Sequence, residues 1–468
     1  MTGSLWVTAI EYGFISFVTV LAVKYFTSRR ALLQHDVAMK SAREQRDIAS
    51  FKECGATDLS SRLAARAAPN ARLVDTFGIV NSFTTSMPDV HSKFLREARG
   101  FINRMNNDAG WTSFSHTADG ALGRALARFG GDAAPGADVP LARIARVFVF
   151  ITILAALFGV NPDAVDVDDA DAATLAINRL WVASKNWTPN GENGSASTTT
   201  ALADGLQRDK ETLEEALRRL LPNRVSSVPE DHPLNLIMPA YETMWRVALL
   251  AFVSAGFRAG RETRRMFHEV MDSVPECFKE EGEKQATALA FAKEALRLYP
   301  PTKRIYRAAR ASPLSSQLTG PASTPLVTVA ADVEKIQRDV RIWGADAARF
   351  VPARFLGGGS DSSTRARRAA PLAASEAYMP FGVAPHECPA ARSLFGYRAL
   401  VVLAAALGRR LGTAGTGASV ELPAGGCEAN REREKEEGKR VEELDDEALG
   451  PLRSGREDME GWVLTMAG

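Results

Sequence analysis

Cys388 is the residue whose surroundings most directly suggest chemistry. It lies in a loop of glycine, prolines and small residues, 379–391, and the apolar run 391–407 predicts a long helix after it. A thiol at a helix N-terminus is near the positive end of the helix dipole, which favours the thiolate, the form that binds soft metals or attacks electrophiles. No Cys-x-x-Cys motif or close histidine pair accompanies Cys388, as a zinc site would require. One thiolate is enough for haem, whose porphyrin supplies the equatorial ligands; the alternative is a buried structural cysteine.

A carboxyl group and a hydroxyl group lie side by side in a second apolar run, 234–252, which predicts another helix. Pro239 removes one backbone hydrogen bond from this helix and predicts a kink. Glu242 and Thr243 follow at the kink, where polar side chains are out of place in a core. The pair therefore predicts a functional position.

Three further charged residues have the spacing of an ion network. Glu294 and Arg297 are three residues apart on a helix that ends at a proline pair, so they share one helical face. An exposed ion pair is the alternative. Arg354, downstream, could add a guanidinium that bonds the same carboxylate in two-pronged fashion.

In their order along the chain these features resemble cytochromes P450, and most closely the fungal members. Phe381-Gly-Val-Ala-Pro-His-Glu-Cys388 is similar to the haem-binding loop Phe-x-x-Gly-x-x-x-Cys-x-Gly, with Ala384 and Ala390 in place of two glycines. Pro239-Ala-Tyr-Glu-Thr243 is similar to Ala/Gly-Gly-x-Asp/Glu-Thr. Glu294 and Arg297 match Glu-x-x-Arg, and residues 345–356 resemble the segment that carries the network's second arginine, here Arg354. The resemblance extends from about residue 74 to the end of the chain.

The resemblance implies roles for these residues. Cys388 would ligate haem iron, within a loop that includes Phe381, and Glu242 and Thr243 would relay protons to the oxygen bound there. Glu294, Arg297 and Arg354 would support the loop beneath the haem. His386 stands where many members have an arginine that bonds a haem propionate. The usual Trp-x-x-x-Arg is not present; His91 and Arg96 are alternative candidates, against a solvated helix face for each.

The fold that the resemblance implies is mainly α with small β-sheets (α+β). A haem domain would cover residues 31–468, with surface insertions near 187–200, 357–371 and 412–440. The apolar run 141–160 predicts a core helix, because two arginines shorten its uncharged part. Alternating apolar residues predict a strand over 77–83. A formal charge of +1 is not that of a nucleic-acid-binding protein, and the 4 cysteines do not form a disulfide framework, so a reducing compartment is expected.

Residues 1–30 are predicted to be a membrane anchor. The apolar segment 5–26 has about the 20 residues that a spanning helix needs, with aromatic residues suited to the interfaces and positive charge on the following side. The expected location is the endoplasmic reticulum membrane, with the catalytic body in the cytosol.

The activity implied is that of a monooxygenase. One oxygen atom from O2 would enter a small lipophilic substrate by hydroxylation, epoxidation or desaturation, in fungal secondary or xenobiotic metabolism. The cofactor would be haem b (heme b, iron protoporphyrin IX), with electrons from NADPH through NADPH-cytochrome P450 reductase. The alternatives are a degenerate, non-catalytic relative and a membrane-anchored scaffold.

Overall fold

The computed structural model describes residues 3–130, 136–186, 196–224, 226–310, 326–356, 376–423 and 450–467. Helices make up most of these residues, and the prediction of a mainly α protein with small sheets is confirmed. The helices are α1 (Gly3–Ala49), α2 (Leu59–Ala67), α3 (Ala71–Phe77), α4 (Pro88–Met105), α5 (Asp108–Phe129), α6 (Leu141–Phe158), α7 (Val167–Ser184), α8 (Ala196–Leu220), α9 (Leu234–Val253), α10 (Arg261–Ser273), α11 (Glu283–Leu298), α12 (Val333–Gln337), α13 (Val340–Trp343), α14 (Pro389–Arg392) and α15 (Phe395–Leu411).

Two small antiparallel sheets occur in the described residues. In one, β5 (Val463–Thr465) lies between β1 (Asp138–Pro140) and β4 (Ser419–Glu421). In the other, β2 (Arg304–Arg310) pairs with β3 (Leu326–Asp332), with Arg304 opposite Asp332. The first sheet joins the C-terminal segment to the start of α6, and the second lies against the C-terminal half of α1.

The core is built from α5, α6, α9, α11 and α15, which pack against one another. Helix α6 is apolar nearly all round, as a fully enclosed helix must be. Its side chains are buried from Leu141 to Leu154, except that of Arg143, which is partly exposed. The prediction of a core helix over this run is confirmed.

Two helices of the described part, Leu141–Phe158 and Leu234–Arg258, are long and apolar enough to cross a membrane by length and composition alone. In each, 72% of the apolar window is buried inside the protein, which is typical of core helices. Helix α1 instead joins the predicted anchor and the polar residues after it in one continuous element, Gly3–Ala49.

The predicted strand over 77–83 is wrong. Residues up to Phe77 belong to α3, which ends at Gly78 in a left-handed conformation with φ +66°. The following residues form a turn in which the carbonyl of Asn81 accepts the N–H groups of Thr84 and Thr85. The alternation of apolar residues over 77–83 comes from a helix end followed by a turn. The backbone hydrogen bonds of both are local, so neither needs a partner strand.

The helix predicted over 391–407 begins later than expected, at Phe395. Cys388 precedes only the four-residue helix α14, and Leu394, with φ +57°, separates that turn from α15. The predicted insertions near 187–200 and 357–371 lie largely outside the described residues. The insertion predicted over 412–440 overlaps strand β4, so its first part belongs to the sheet.

Candidate functional site

The loop that carries Cys388 is closed by a backbone hydrogen bond and by ring packing. The N–H of Cys388 donates to the carbonyl of Phe381 at 3.0 Å, and the Phe381 ring lies 4.9 Å from that of Tyr397. Gly396 leaves room for this ring, since a Cβ atom there would lie 2.7 Å from Phe381 Cε1. Gly382, with φ +73°, turns the chain between the two ends of the loop. The structure therefore brings Phe381 and Cys388 together in one closed loop.

The protein by itself does not favour the thiolate of Cys388. Burial raises the pKa of the Cys388 thiol, and this effect exceeds the lowering by the backbone N–H of Ala390 and by the positive charge of Arg66. The expectation from the helix dipole is wrong in direction, because burial of the sulfur outweighs the effects that lower the pKa of the thiol. A cation that binds the sulfur would supply the missing stabilisation.

The structure brings Glu294, Arg297 and Arg354 together in a buried network. Arg297 donates from Nε to Glu294 Oε2 at 2.7 Å and from Nη2 to Oε1 at 2.9 Å, and both side chains are fully buried. Arg354 donates from Nε to Glu294 Oε1 at 3.1 Å and also binds Asp346. The alternative of an exposed helical ion pair does not apply to these residues.

A buried amide links this network to the Cys388 loop. Gln337 Oε1 accepts the N–H of Met379 at 2.9 Å, and Gln337 Nε2 donates to the carbonyl of Arg297 at 3.0 Å. Arg297 in turn donates to the carbonyl of Gln337 at 2.7 Å. The hydroxyl of Tyr378 adds a bond to the carbonyl of Lys293 at 3.1 Å. The start of the loop is thus held on α11, the helix that carries Glu294 and Arg297.

Glu242 and Thr243 lie on α9 and have different partners. Glu242 is buried and forms an ion pair with Arg456 of the C-terminal segment, while its Oε1 has no hydrogen-bond partner among the described residues. The Thr243 hydroxyl donates to the carbonyl of Pro239 at 2.8 Å. Within the described ranges, no hydrogen bond or ion pair joins either residue to the Cys388 loop.

Pro239 is accommodated in α9 by a neighbouring turn. Because proline has no N–H, the carbonyl of Asn235 loses its helical partner. Asn81 Nδ2 donates to that carbonyl at 3.0 Å, and Asn235 Oδ1 accepts the N–H of Val80 at 2.9 Å. The two hydrogen bonds of Asn235 therefore link α9 to the turn before α4 and replace the helical bond that the proline removes.

The two histidines of the predicted site lie near each other. The rings of His386 and His91 are 5.2 Å apart, and His386 is also 5.2 Å from Phe51. Burial and the positive charge of Arg66 lower the pKa of His386 to about 3. His386 Nε2 is buried and has no partner among the described residues. The alternative of a solvated helix face is wrong for His91, because that side chain is buried. It is confirmed for Arg96, whose side chain is exposed.

Several residues beside the site had no signal in the sequence. Gln337 and Arg456 join the site only through contacts between segments far apart in sequence. The same is true of Arg66, Arg307 and Phe51, which surround His386. The inward position of Arg307 in β2 could be inferred from strand alternation only if the strand's buried face were known.

The described residues hold no group of three or more His, Cys, Asp or Glu side chains able to bind a bare metal ion. A separate cleft of about 340 Å³ lies between the end of α9 and residues 346–351, lined in part by Ser254, Tyr299 and Phe350. None of the predicted site residues lines this cleft.

Comparisons with known proteins point to one family. A rice protein, cytochrome P450 734A6 of Oryza sativa subsp. japonica, is 37% identical over 118 residues, which are 25% of this chain and 19% of the rice protein. A probable cytochrome P450 318a1 of Drosophila melanogaster is 25% identical over 223 residues, 44% of this chain and 40% of the fly protein. The chain thus spans less than half the length of these relatives. No protein-family model matches it.

A solved structure shows the fold. The crystal structure of CYP175A1 from Thermus thermophilus has a TM-score of 0.53 and 17% identity, and the likeness covers 89% of this chain and 87% of that one. The fold is therefore that of the cytochromes P450, and the sequence matches support membership of the family. The relatives come from a plant and an insect, so the affinity to fungal members stays a prediction.

Proposed function

We propose that this chain, with its cytochrome P450 fold, is a haem-thiolate monooxygenase in which Cys388 ligates the iron. The observation that carries the proposal is the support of the Cys388 loop. Its start is bonded through Gln337 to the buried network of Glu294, Arg297 and Arg354. Such a support restricts the movement of the loop that carries the sulfur atom, as a metal ligand requires.

The residues around Cys388 fit a haem. Their donor set contains one sulfur, and the porphyrin would supply the other ligands that the iron needs. Arg307 Nε is buried without a partner among the described residues, so one charged donor remains for the acidic groups of the cofactor; His386 Nε2 is also without a partner there and would donate in the tautomer that carries its proton on Nε2. When bound, the haem supplies the activation of O2 and the oxidation of the substrate.

The chain's own residues would position the reactants and move protons. Cys388 would ligate the iron through its sulfur atom. On α9, Glu242 Oε1 has no hydrogen-bond partner among the described residues, and the next residue in sequence, Thr243, carries a hydroxyl group. We assign these two atoms to holding and passing protons, with Arg456 keeping the Glu242 carboxyl group in place.

The remaining parts of the proposal follow from the family. The cofactor is haem b, the electrons come from NADPH through NADPH-cytochrome P450 reductase, and the substrate is a small lipophilic molecule, in fungal secondary or xenobiotic metabolism. Residues 1–30 anchor the protein in the endoplasmic reticulum membrane, with the body in the cytosol. The exposed apolar side chains of α1 between Phe17 and Phe26 support the anchor.

An absorption spectrum tests the proposal. The reduced protein with carbon monoxide should show the strongly red-shifted Soret band of thiolate-ligated haem, and Cys388→Ala should lose it. Cys277→Ala, which replaces a buried cysteine at another site, should keep it. Haem-free wild-type protein, despite haem supply during expression, would contradict the proposal and favour a degenerate, non-catalytic relative.

A further inference from the structure

A group of cationic side chains extends from the surface to helix α9. Lys185, which follows α7, is exposed, and Arg72 on α3 is partly buried. Arg246 on α9 and Arg456 in the C-terminal segment are buried, with exposed fractions of 8% and 6%. We call these four residues the cationic group. They come from four separate parts of the chain, so no motif in the sequence joins them.

Contacts with one aromatic ring and short-range electrostatic effects show that the members of the cationic group are close together. The guanidinium carbon of Arg456 lies 4.3 Å from the centre of the Trp181 ring, and that of Arg72 lies 5.3 Å from it. Burial, and after it the charge of Arg456, lowers the pKa of each of the other three members. Arg456 is therefore the member that all the others adjoin.

The cationic group has more positive charge than acidic partners. Within the described ranges, Glu242 is the one carboxylate that forms an ion pair with a member, and that member is Arg456. Arg246 donates to two backbone carbonyls, at 3.1 and 3.2 Å, and Arg72 donates to a serine hydroxyl. The charges of Arg246 and Arg72 are thus balanced only by neutral oxygens in the described part of the chain.

Two further carboxylates act on the cationic group from a distance. Burial is the main cause of the lowered pKa values of Lys185 and Arg246, and the charges of Glu457 and Glu334 partly offset it. Glu334 already binds Arg338, at 2.9 Å. Neither carboxylate forms an ion pair with a member of the group among the described residues, so the excess of positive charge remains.

Four polar atoms of this region are buried and have no hydrogen-bond partner among the described residues. They are Nε of Arg246, Nε of Arg456, the hydroxyl of Ser454 and Oε1 of Glu242. The first three can donate a hydrogen bond. Buried polar groups are normally paired, and a buried charge without a partner is costly. Burial lowers the pKa of Arg246 to about 10, in keeping with that cost. The region therefore suits a bound anion that accepts hydrogen bonds.

We propose that the substrate of this chain is a lipophilic carboxylic acid, and that Arg246 and Arg456 bind its carboxylate group close to Glu242. Guanidinium donors are planar and match the two oxygens of a carboxylate. Arg456 can serve two carboxylates, because Nη2 binds Glu242 while Nε has no partner in the described part. The role of the acid as substrate rests on the proposed function, whereas its binding does not.

A carboxylate fits this place better than a phosphate group. A phosphate group carries about two negative charges at neutral pH, and its burial is more costly than that of a monoanion. Apolar surface adjoins the cationic group, since the ring of Phe77 lies 6.1 Å from that of Trp181. An acid with a lipophilic body can bury that body against such rings while its carboxylate meets the arginines.

The outer members of the cationic group would guide the acid inward. Their charges lie at increasing depth, from the exposed Lys185 through the partly buried Arg72 to the buried Arg456. A field of one sign attracts the opposite charge and speeds association, and salt screens this effect. Lys185→Gln should therefore slow the binding of an acid at low salt and leave its dissociation rate nearly unchanged, as stopped-flow measurements can show.

Probes that differ in their head group test the proposal on the full-length chain. Octanoate, 1-octanol and octylamine share one chain length and carry a negative, a neutral and a positive head group at neutral pH. Each is titrated into the purified protein, and the heat of binding is measured. The wild type should bind octanoate about tenfold or more tighter than 1-octanol, and octylamine should bind most weakly.

Variants assign this preference to residues. Arg246→Met should weaken the binding of octanoate about tenfold and change that of 1-octanol little, because only the acid uses the lost charge; the ion pair of Arg456 with Glu242 stays intact. Arg72→Met, at a partly exposed position, should lose a smaller factor and provides a second variant in case Arg246→Met does not fold. Arg124→Met is the control, because this partly buried arginine binds two backbone carbonyls elsewhere, and it should bind all three probes as the wild type does.

The outcomes separate this proposal from the proposed function. A wild type that does not prefer octanoate to 1-octanol would overturn it, and so would variants that keep the preference in full. Tighter binding of octyl phosphate than of octanoate would overturn the choice of a carboxylate. A preference for octanoate in protein that lacks the thiolate Soret band would overturn the monooxygenase proposal and leave acid binding in place. The Soret band without that preference would overturn acid binding alone.

Discussion

One residue, Gln337, holds the start of the Cys388 loop through an amide whose hydrogen bonds are complete. Gln337 is fully buried, and both ends of its amide are used, with Met379 on one side and the carbonyls of Leu296 and Arg297 on the other. Buried polar groups without partners destabilise a protein, so each bond of this amide contributes by being present. Gln337 therefore matters to the position of Cys388 without touching it.

Replacing Gln337 by leucine should lower the free energy of unfolding by about 1–3 kcal/mol, because the Met379 N–H and two carbonyls lose their partner in a buried place. Urea unfolding measures this change. Gln207→Leu is the control, because Gln207 is an exposed helical residue bonded to Glu211, and it should change stability by less than about 0.5 kcal/mol. Equal effects of the two variants would contradict the role of Gln337.

At the scale of elements, the site depends on how α15 meets the Cys388 loop. Helical structure is interrupted between α14 and α15 at Leu394. The first turn of α15 then places Gly396 against the Phe381 ring. Only a residue without a side chain fits there, because an added Cβ would meet the Phe381 ring and would also lie 3.4 Å from the Cβ of Ala390. The close approach of α15 thus fixes how near the Cys388 loop lies to the first turn of that helix.

Gly396→Ala should displace the Phe381 ring and cost about 1–3 kcal/mol of stability, the usual cost of overpacking a core. The thiolate Soret band should weaken or shift at the same time. Gly123→Ala is the matched control, because Gly123 is inside α5 with no atom within 4 Å of an added Cβ. There alanine should stabilise the helix by about 0.5–1 kcal/mol. An unchanged spectrum in Gly396→Ala would contradict the packing argument.

For the whole molecule, α1 has two parts with different surroundings. Its earlier part carries exposed apolar side chains such as Phe17 and Phe26, whose exposed fractions are 61% and 67%. Its last turns are part of a second small core, in which Ala42 and Ala49 pack with Trp343 and Met379. One helix therefore serves both the predicted anchor and the support of the Cys388 loop.

Removal of residues 2–30 should release the protein from membranes into the aqueous fraction and leave its thermal unfolding nearly unchanged. Removal of residues 2–49 should lower the melting temperature clearly, because it also removes Ala42, Ala49 and the bond between Gln45 and Asp332. Fractionation and thermal scans of the two truncated proteins measure both effects. A shorter truncation that still sediments with membranes would place the anchor elsewhere.

The spacing of residues within short segments was enough to predict several features of this protein. The core helix α6 could be predicted from its apolar run, because such a pattern acts within a few residues, whereas the mainly helical fold was predicted from the resemblance to cytochromes P450. The pairing of Glu294 with Arg297 follows from a spacing of three on a helix. For the same reason the Cys388 loop could be recognised from short motifs.

Long-range packing decided the rest. Arg456 lies 214 residues from Glu242, and Arg66, Arg307 and Phe51 come from separate elements, so no local pattern joins them. The strand expected at 77–83 and the thiolate expected at Cys388 were wrong for one reason: both were inferred from neighbours in sequence. Burial and charge depend on every group that the folded chain brings within a few ångströms, whatever its distance along the chain.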